Sequence, residues 1–361
     1  MPKHMFKSYF FAWWLVLSLT ISGCSIEISQ STVTASPTSN DPAVQTARAL
    51  MPWAKLNLSG KLVYNTSNST VGTVGVQSLD LESGDRFTIF QAPGDGWVYE
   101  VAVSPDHTTL VLTYSPPMNA AYSGQGSLYQ MPLDASEPPQ PLFPLPTSKD
   151  QFSQPAWSPD GKYIYFAHIN FESMENPEIM RMAYPDGKPE KLIGNAYWPR
   201  LSDDGSQLVY VALDPQSGEN HLFIAHSDGT APQQVRLRSL PVSYVIDAPM
   251  FSPDNQFIIF SSPIGSRASA PNWVDKLLGV TVARADGTLA SDWWRVATSG
   301  GKAIQLTHVH SLALFGTFSP DKKYIASCSL DGIFVMKPDG SEVSMVVNDM
   351  GGISGTVSWI P

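Results

Sequence analysis

Cysteine is almost absent, with only Cys24 and Cys328 in 361 residues. A disulfide framework is therefore excluded as the source of stability, and without paired-cysteine spacing neither a thiolate metal site nor a redox dithiol is supported. Charge is scarce as well, at 15% of residues. Lysine and arginine total 22 against 32 acidic residues, the formal charge is −10, and no basic run gathers the cations, which excludes nucleic acid as a partner. The chain has no Gly-x-Ser-x-Gly elbow, no glycine-rich phosphate loop and no His-Glu-x-x-His pair. No cofactor is called for. The apolar run from Tyr9 to Ile21 is shorter than the roughly 20 residues of a membrane-spanning helix.

What the chain does have is a repeat. An apolar residue, a Ser-Pro-Asp-Gly-type turn and an alternating apolar run appear as VSPDHTTLVL at 103 to 112, WSPDGKYIYF at 157 to 166, LSDDGSQLVYV at 201 to 211, FSPDNQFIIF at 251 to 260 and FSPDKKYIAS at 318 to 327. Proline fixes φ at the second turn position, the aspartate can bond its own backbone, and the alternation that follows is that of a strand. A second set of turns interleaves with the first: Ser83-Gly84, Asp134-Ala135, Asp186-Gly187, Asp228-Gly229, Gly300-Gly301 and Asp339-Gly340. Two hairpins per unit of about fifty residues make four strands, which is one propeller blade.

Six of the second turns face only five complete Ser-Pro-Asp turns, and the two ends of the repeat region account for the difference. Val357–Pro361 stops where a sixth turn would begin, and Gly60-Lys61-Leu62-Val63-Tyr64 starts just after such a turn. The expected architecture is all-β: a six-bladed propeller of four-stranded antiparallel blades, closed by the C-terminal strand pairing with the N-terminal blade. Closure of that kind removes exposed sheet edges. The repeated (Trp/Phe)-Ser-Pro-Asp-Gly-Lys followed by an apolar strand resembles the TolB-type, WD40-like propeller repeat over roughly residues 55 to 361. TolB proteins carry an additional α/β domain ahead of the propeller, and the segment preceding it here is too short to contain one. The resemblance implies a fold; propellers host binding, scaffolding and several unrelated chemistries.

The N-terminus reads as an export signal. Lys3 and Lys7 precede the apolar run, and Ile21-Ser22-Gly23-Cys24 resembles the lipobox of bacterial lipoproteins, in which the cysteine is acylated. The expected organisation is a lipoprotein signal peptide at 1–23, a Ser/Thr-rich tether at 24–52 and the propeller at 53–361, exported and lipid-anchored to the bacterial cell envelope, periplasmic or on the outer surface. Loss of the two signal lysines takes the formal charge from −10 to −12. Cys328 lies inside an apolar strand and reads as a small buried hydrophobe.

Both turn sets fall on one face of a propeller, so the longer connections at 66 to 75, 115 to 127, 168 to 178, 213 to 221 and 262 to 291 fall on the other. Long loops carry function more often than short ones. The 262 to 291 connection holds Trp273 and an apolar run, Lys276–Val282, that could form an extra hairpin or extend its own blade. Trp97, Tyr122, Phe152, Phe171, Tyr197, Trp198, Tyr244 and Trp273 gather on this expected face; aromatics there suit protein or carbohydrate contacts, and those at blade starts also plug gaps between sheets. His308 and His310, with Asp247 and Glu100 at the starts of inner strands, are the weak candidates for a metal site in the channel. The leading expectation is a lipid-anchored monomer whose propeller binds an envelope protein or extended peptide through its loop-rich face. The alternatives are a metal-dependent lyase or lactonase, or a carbohydrate-binding sensor, using the central channel.

Overall fold

The computed structural model describes residues 51–68, 73–118, 126–144, 149–172, 176–238, 240, 245–263, 290–311, 314–348 and 355–361. Cys24 and the expected signal and tether lie outside the described residues, as do Tyr122, Tyr244, Trp273 and the expected strand at Lys276–Val282. Among the described residues no helix is long and apolar enough to cross a membrane.

Six four-stranded antiparallel sheets follow one another along the chain. Blade 1 takes its inner strand, Val357–Ile360, from the C-terminus and continues with Lys61–Asn68, Thr73–Asp80 and Arg86–Gln91. Blade 2 runs from Trp97–Val103 through Thr109–Ser115 and Ser127–Pro132 to Gln140–Pro141, and blade 3 from Asp150–Trp157 through Tyr163–Asn170 and Glu178–Ala183 to Glu190–Gly194. Blade 4 holds Ala196–Leu201, Gln207–Leu213, Asn220–His226 and Gln233–Gln234. Blade 5 holds Asp247–Phe251, Phe257–Pro263, Ser291–Ala297 and Ile304–Gln305, and blade 6 holds Phe315–Phe318, Ile325–Ser329, Gly332–Met336 and Ser344–Val347. The first strands of successive blades touch in order round the ring, so they line the axis. The antiparallel order puts both hairpin turns of blades 2 to 6, and the single one of blade 1, on one face, the turn face, and the other connections on the opposite loop face.

The Ser-Pro-Asp turns share one hydrogen-bond design. In blade 3 the Ser158 hydroxyl donates to Asp160 Oδ1 at 2.7 Å and accepts the Tyr163 N–H at 2.9 Å, while the Lys162 N–H donates to Asp160 Oδ1 at 3.1 Å. Ser104, Ser202, Ser252 and Ser319 repeat it with Asp106, Asp204, Asp254 and Asp321. The fourth position is left-handed in every copy, with φ of 61° at His107, 72° at Gly161, 70° at Gly205, 55° at Asn255 and 61° at Lys322. Glycine and asparagine suit that conformation; His107 and Lys322 accept a cost there.

Between sheets the core is aliphatic and aromatic. Leu62, Leu110, Ile164, Leu208, Ile258 and Ile325 occupy one repeated position, the second residue of the apolar run, and all are fully buried. Ring closure rests on Lys61–Tyr64 pairing with Ile360–Val357. Side chains reinforce it: Trp359 Nε1 donates to the Ser59 carbonyl at 2.9 Å, and the Thr356 hydroxyl exchanges 2.7 Å bonds with the Val101 backbone N–H and carbonyl of blade 2. Trp53 is buried, its indole N–H on the Leu81 carbonyl at 3.0 Å.

Two expected outcomes follow from this architecture. Trp359→Ala removes a nearly buried indole from the closing strand and should lower unfolding free energy by about 3 kcal/mol, read from the denaturant midpoint. The turn carboxyls supply the second. Each of the five is held below the ordinary aspartate value, first by its serine hydroxyl, with Asp204 lowered to about 2. A folded-state value below the unfolded one gives stability that is complete above the unfolded value of about 3.9 and is lost as pH falls through the folded value. Acid unfolding followed by circular dichroism should therefore set in below about pH 4, and Ser202→Ala should move it upward.

Candidate functional site

The inner strands of blades 3, 4 and 5 carry the same β-bulge. Their registers skip between Ser153 and Ala156, Tyr197 and Arg200, and Asp247 and Met250, so two residues face one on the neighbouring strand. In each bulge the first residue is left-handed and the second is proline: Gln154 (φ 58°) and Pro155, Trp198 (φ 58°) and Pro199, Ala248 (φ 44°) and Pro249. Proline lacks the N–H that a bulge leaves unpaired. The first residue's N–H is capped by the preceding blade: Gln154 N–H donates to Glu100 Oε2 at 2.5 Å, and Trp198 N–H donates to Gln154 Oε1 at 2.7 Å. Blades 2, 3 and 4 are thereby linked side chain to backbone along the axis.

The bulge in blade 4 delivers Arg200 to the channel. Two residues before the turn serine, the copies read Ala102, Ala156, Arg200, Met250 and Thr317, so one cation replaces small or apolar side chains at that level. Arg200 is half-buried and makes no hydrogen bond or ion pair among the described residues. Its charge is felt by Glu100, which accepts the Thr113 hydroxyl at 2.8 Å besides the Gln154 N–H. Burial raises the Glu100 carboxyl above its ordinary value against the pull of those bonds and of Arg200; burial lowers Arg200, with Glu100 opposing.

Arg200 lines a cavity of about 480 Å³ that opens on the turn face, walled by Ala102, Ala156, Trp157, Thr317 and the closing strand 357–361 and rimmed by His107 and Lys322. Ligand pockets commonly span about 300–1,000 Å³. A second cavity of about 610 Å³ opens on the same face between blades 5 and 6. Lys322, Lys323, Lys337 and Arg295 line it, and Lys322 lines both.

The residues expected on the loop face separate by burial. Trp97 is 36% exposed and leans on Tyr99 with ring centroids 6.3 Å apart, and Phe171 is half-buried. Tyr197, Trp198 and Phe152 are interior. Trp198 packs at 4.8 Å on Phe315 of blade 6, past the inner strand of blade 5, and so fills the channel rather than facing solvent. Phe152 stacks on His168 at 4.7 Å. Burial, with Asp247 adding to it, lifts the Tyr197 phenol well above its usual value.

Glu100 and the two candidate histidines are not brought together. His308 and His310 stand on the loop joining blades 5 and 6, and the carboxylate that closes on them is Asp292 of the third strand of blade 5, not Asp247 of the inner strand. Asp292 was legible as an acid inside the apolar run Ser291–Ala297, and Arg200 as the exception among aligned repeats. Cys328 is fully buried, which pushes its thiol up to about 12 and keeps it from being a thiolate at neutral pH.

The chain is thus a six-bladed β-propeller of four-stranded antiparallel blades. The family model for the WD domain, G-beta repeat, matches residues 301–335, from the end of blade 5 into blade 6. Among solved structures the chain is similar to TolB from Acinetobacter baumannii, at 14% identity and TM-score 0.58 over 88% of this chain and 71% of that one. It is also similar to a TolB-type protein of Agrobacterium tumefaciens, at 17% identity and TM-score 0.51 over 84% and 100%, and to a chain of the nidogen/laminin complex, at 10% identity and TM-score 0.57 over 83% and 98%. No curated protein matches the chain at a significant level.

Gln154 is the hinge of the blade-to-blade relay. Gln154→Ala leaves the buried Trp198 N–H without an acceptor and should cost about 1–3 kcal/mol, read from the shift in the denaturant midpoint.

Proposed function

We propose that this propeller is an envelope-anchored binding module, held to the membrane through a lipid on Cys24, that takes a carboxylate-bearing segment of a partner protein into the mouth of its channel on the turn face. The observation that carries it is Arg200: a guanidinium with five donors, none engaged among the described residues, lining an open cavity of about 480 Å³. A half-buried cation whose donors are left open at a cavity suits an anion that arrives later. Guanidinium and carboxylate match in a two-pronged geometry, which suits a peptide C-terminus or an acidic side chain.

The surroundings fit that ligand. Lys322 lines both the channel mouth and the groove between blades 5 and 6, giving an extended segment a path along the face. The groove's Lys322, Lys323 and Lys337 are each paired with a carboxylate, Asp203, Asp321 and Glu342 in turn. One of the similar folds was solved within a nidogen/laminin complex, a protein–protein assembly. Trp97, exposed on the loop face, offers a further aromatic contact to a partner.

The test is cross-linked affinity capture by the full-length chain in native envelope extract, compared with Arg200→Gln and Trp97→Ala. The expected result is a captured protein whose recovery falls about ten- to a hundredfold in Arg200→Gln, the loss expected of one charge-assisted hydrogen bond. Capture that survives Arg200→Gln but is lost in Trp97→Ala would move the site to the loop face and overturn the placement.

A further inference from the structure

Asp292 is the second residue of the strand Ser291–Ala297, at its loop-face end, and its side chain is wholly buried. One oxygen is spent on architecture. Oδ1 accepts the Thr307 hydroxyl at 2.9 Å, the Val309 N–H at 2.7 Å and the His310 N–H at 3.2 Å, so the loop after blade 5 is wound round it. Ser291 N–H on the Ser311 carbonyl, at 2.8 Å, clamps the other end of that loop. Oδ2 is turned the other way. It accepts Gln305 Nε2 at 2.9 Å and lies 3.1 Å from His310 Nδ1.

Gln305 Nε2 is also 3.0 Å from His308 Nδ1, which ties the second imidazole to the same centre. One nitrogen from each imidazole and one Asp292 oxygen all fall within 4.8 Å of one another. Asp292 is buried and both histidines are exposed, so the group is closed beneath and open above. A loop-anchoring role alone explains Oδ1 and the backbone donors. It does not explain why both imidazoles gather beside the buried carboxylate. Nor does it supply a fixed positive charge: among the described residues the only ion-pair partner of this buried carboxylate is the exposed His310.

We propose that Asp292, His308 and His310 form a binding site for a first-row divalent transition cation on the loop face of the propeller. Two imidazole nitrogens and a carboxylate oxygen are the donors that Zn²⁺, Mn²⁺ or Fe²⁺ accept, whereas Ca²⁺ and Mg²⁺ prefer oxygen alone. Thr307 and the Val309 N–H are the outer groups that fix the carboxylate, as bound metals require. Three protein ligands leave a position open on the exposed side, where solvent or a partner's donor group can complete the coordination. The site is separate from the Arg200 cavity, which opens on the opposite face.

The test uses the tag-free, full-length chain stripped with chelator and titrated calorimetrically with Zn²⁺, Mn²⁺ and Ca²⁺. One equivalent of Zn²⁺ or Mn²⁺ should bind and raise the melting temperature, and Co²⁺ should give the visible absorption of a bound ion. His308→Ala, at an exposed position, should leave the metal-free melting temperature unchanged, and His308→Ala and His310→Ala should each weaken binding at least about tenfold. Asp292→Asn is the harsher change and tests the anchor as well. Binding that is unaltered in the double histidine variant, absence of binding at about 1 mM cation, or a preference for Ca²⁺ would each overturn the proposal.

Discussion

Everything in this molecule hangs on four residues of backbone pairing between its two ends. Val357–Ile360 supplies the inner strand of a blade whose other strands begin at Lys61, and among the described residues no other strand pairs at that place. A six-sheet ring without this pairing is an open crescent with two bare edges at its axis. With it, the innermost strands meet all the way round, and each sheet buries both faces against neighbours. The closure also makes the channel: residues 357–361 form one wall of the cavity that holds Arg200. Structural closure and the candidate site therefore share the same strand.

The second constraint is axial. Inner strands converge on a line, and six straight strands would leave either a pore or a clash. The bulges at Gln154-Pro155, Trp198-Pro199 and Ala248-Pro249 bend three of them at one level, and Trp198 crosses toward Phe315 to fill the centre there. Below that level, toward the turn face, small residues such as Ala102 and Ala156 leave room. The cavity is what remains when an aromatic plug closes the channel at one height and alanines widen it at another. Arg200, directly after the Pro199 bulge, is placed where the room begins.

The fold was legible because its determinants are local and repeated. Ser-Pro-Asp turns announce their own hydrogen bonds, and counting them against the second turns located the closing strand before any coordinates. The site was much less legible. Aromatics such as Tyr197 and Trp198 read as surface candidates because their place in the chain, at a blade start, is the same whether the ring points out or into the axis; the bulge decides, and bulges depend on pairing register. The signal for that bulge was present as a proline three residues before the turn serine in three blades, at Pro155, Pro199 and Pro249. Asp247, not Asp292, is the aspartate that sequence position sets beside the histidines, for a related reason. Position along the chain ranks inner strands as channel-lining, but the loop after blade 5 returns past the third strand before it reaches the axis.

A repeat protein carries its own internal comparison, and that comparison separates scaffold from function here. Where all copies agree, as in the serine–aspartate pair of the turns or the buried aliphatic at the second position of each run, the residue serves the blade. Where one copy departs in a way that costs stability, the departure needs another cause. Arg200 is such a departure, a cation placed among Ala102, Ala156, Met250 and Thr317, with only the charge of Glu100 opposing its desolvation among the described residues. Asp292 with His308 and His310 is another, a wholly buried carboxylate beside two imidazoles. The two lie on opposite faces, one suited to an anion and the other to a cation. A single packing requirement could not have produced both, since burial alone would have removed each of these charges from the repeat.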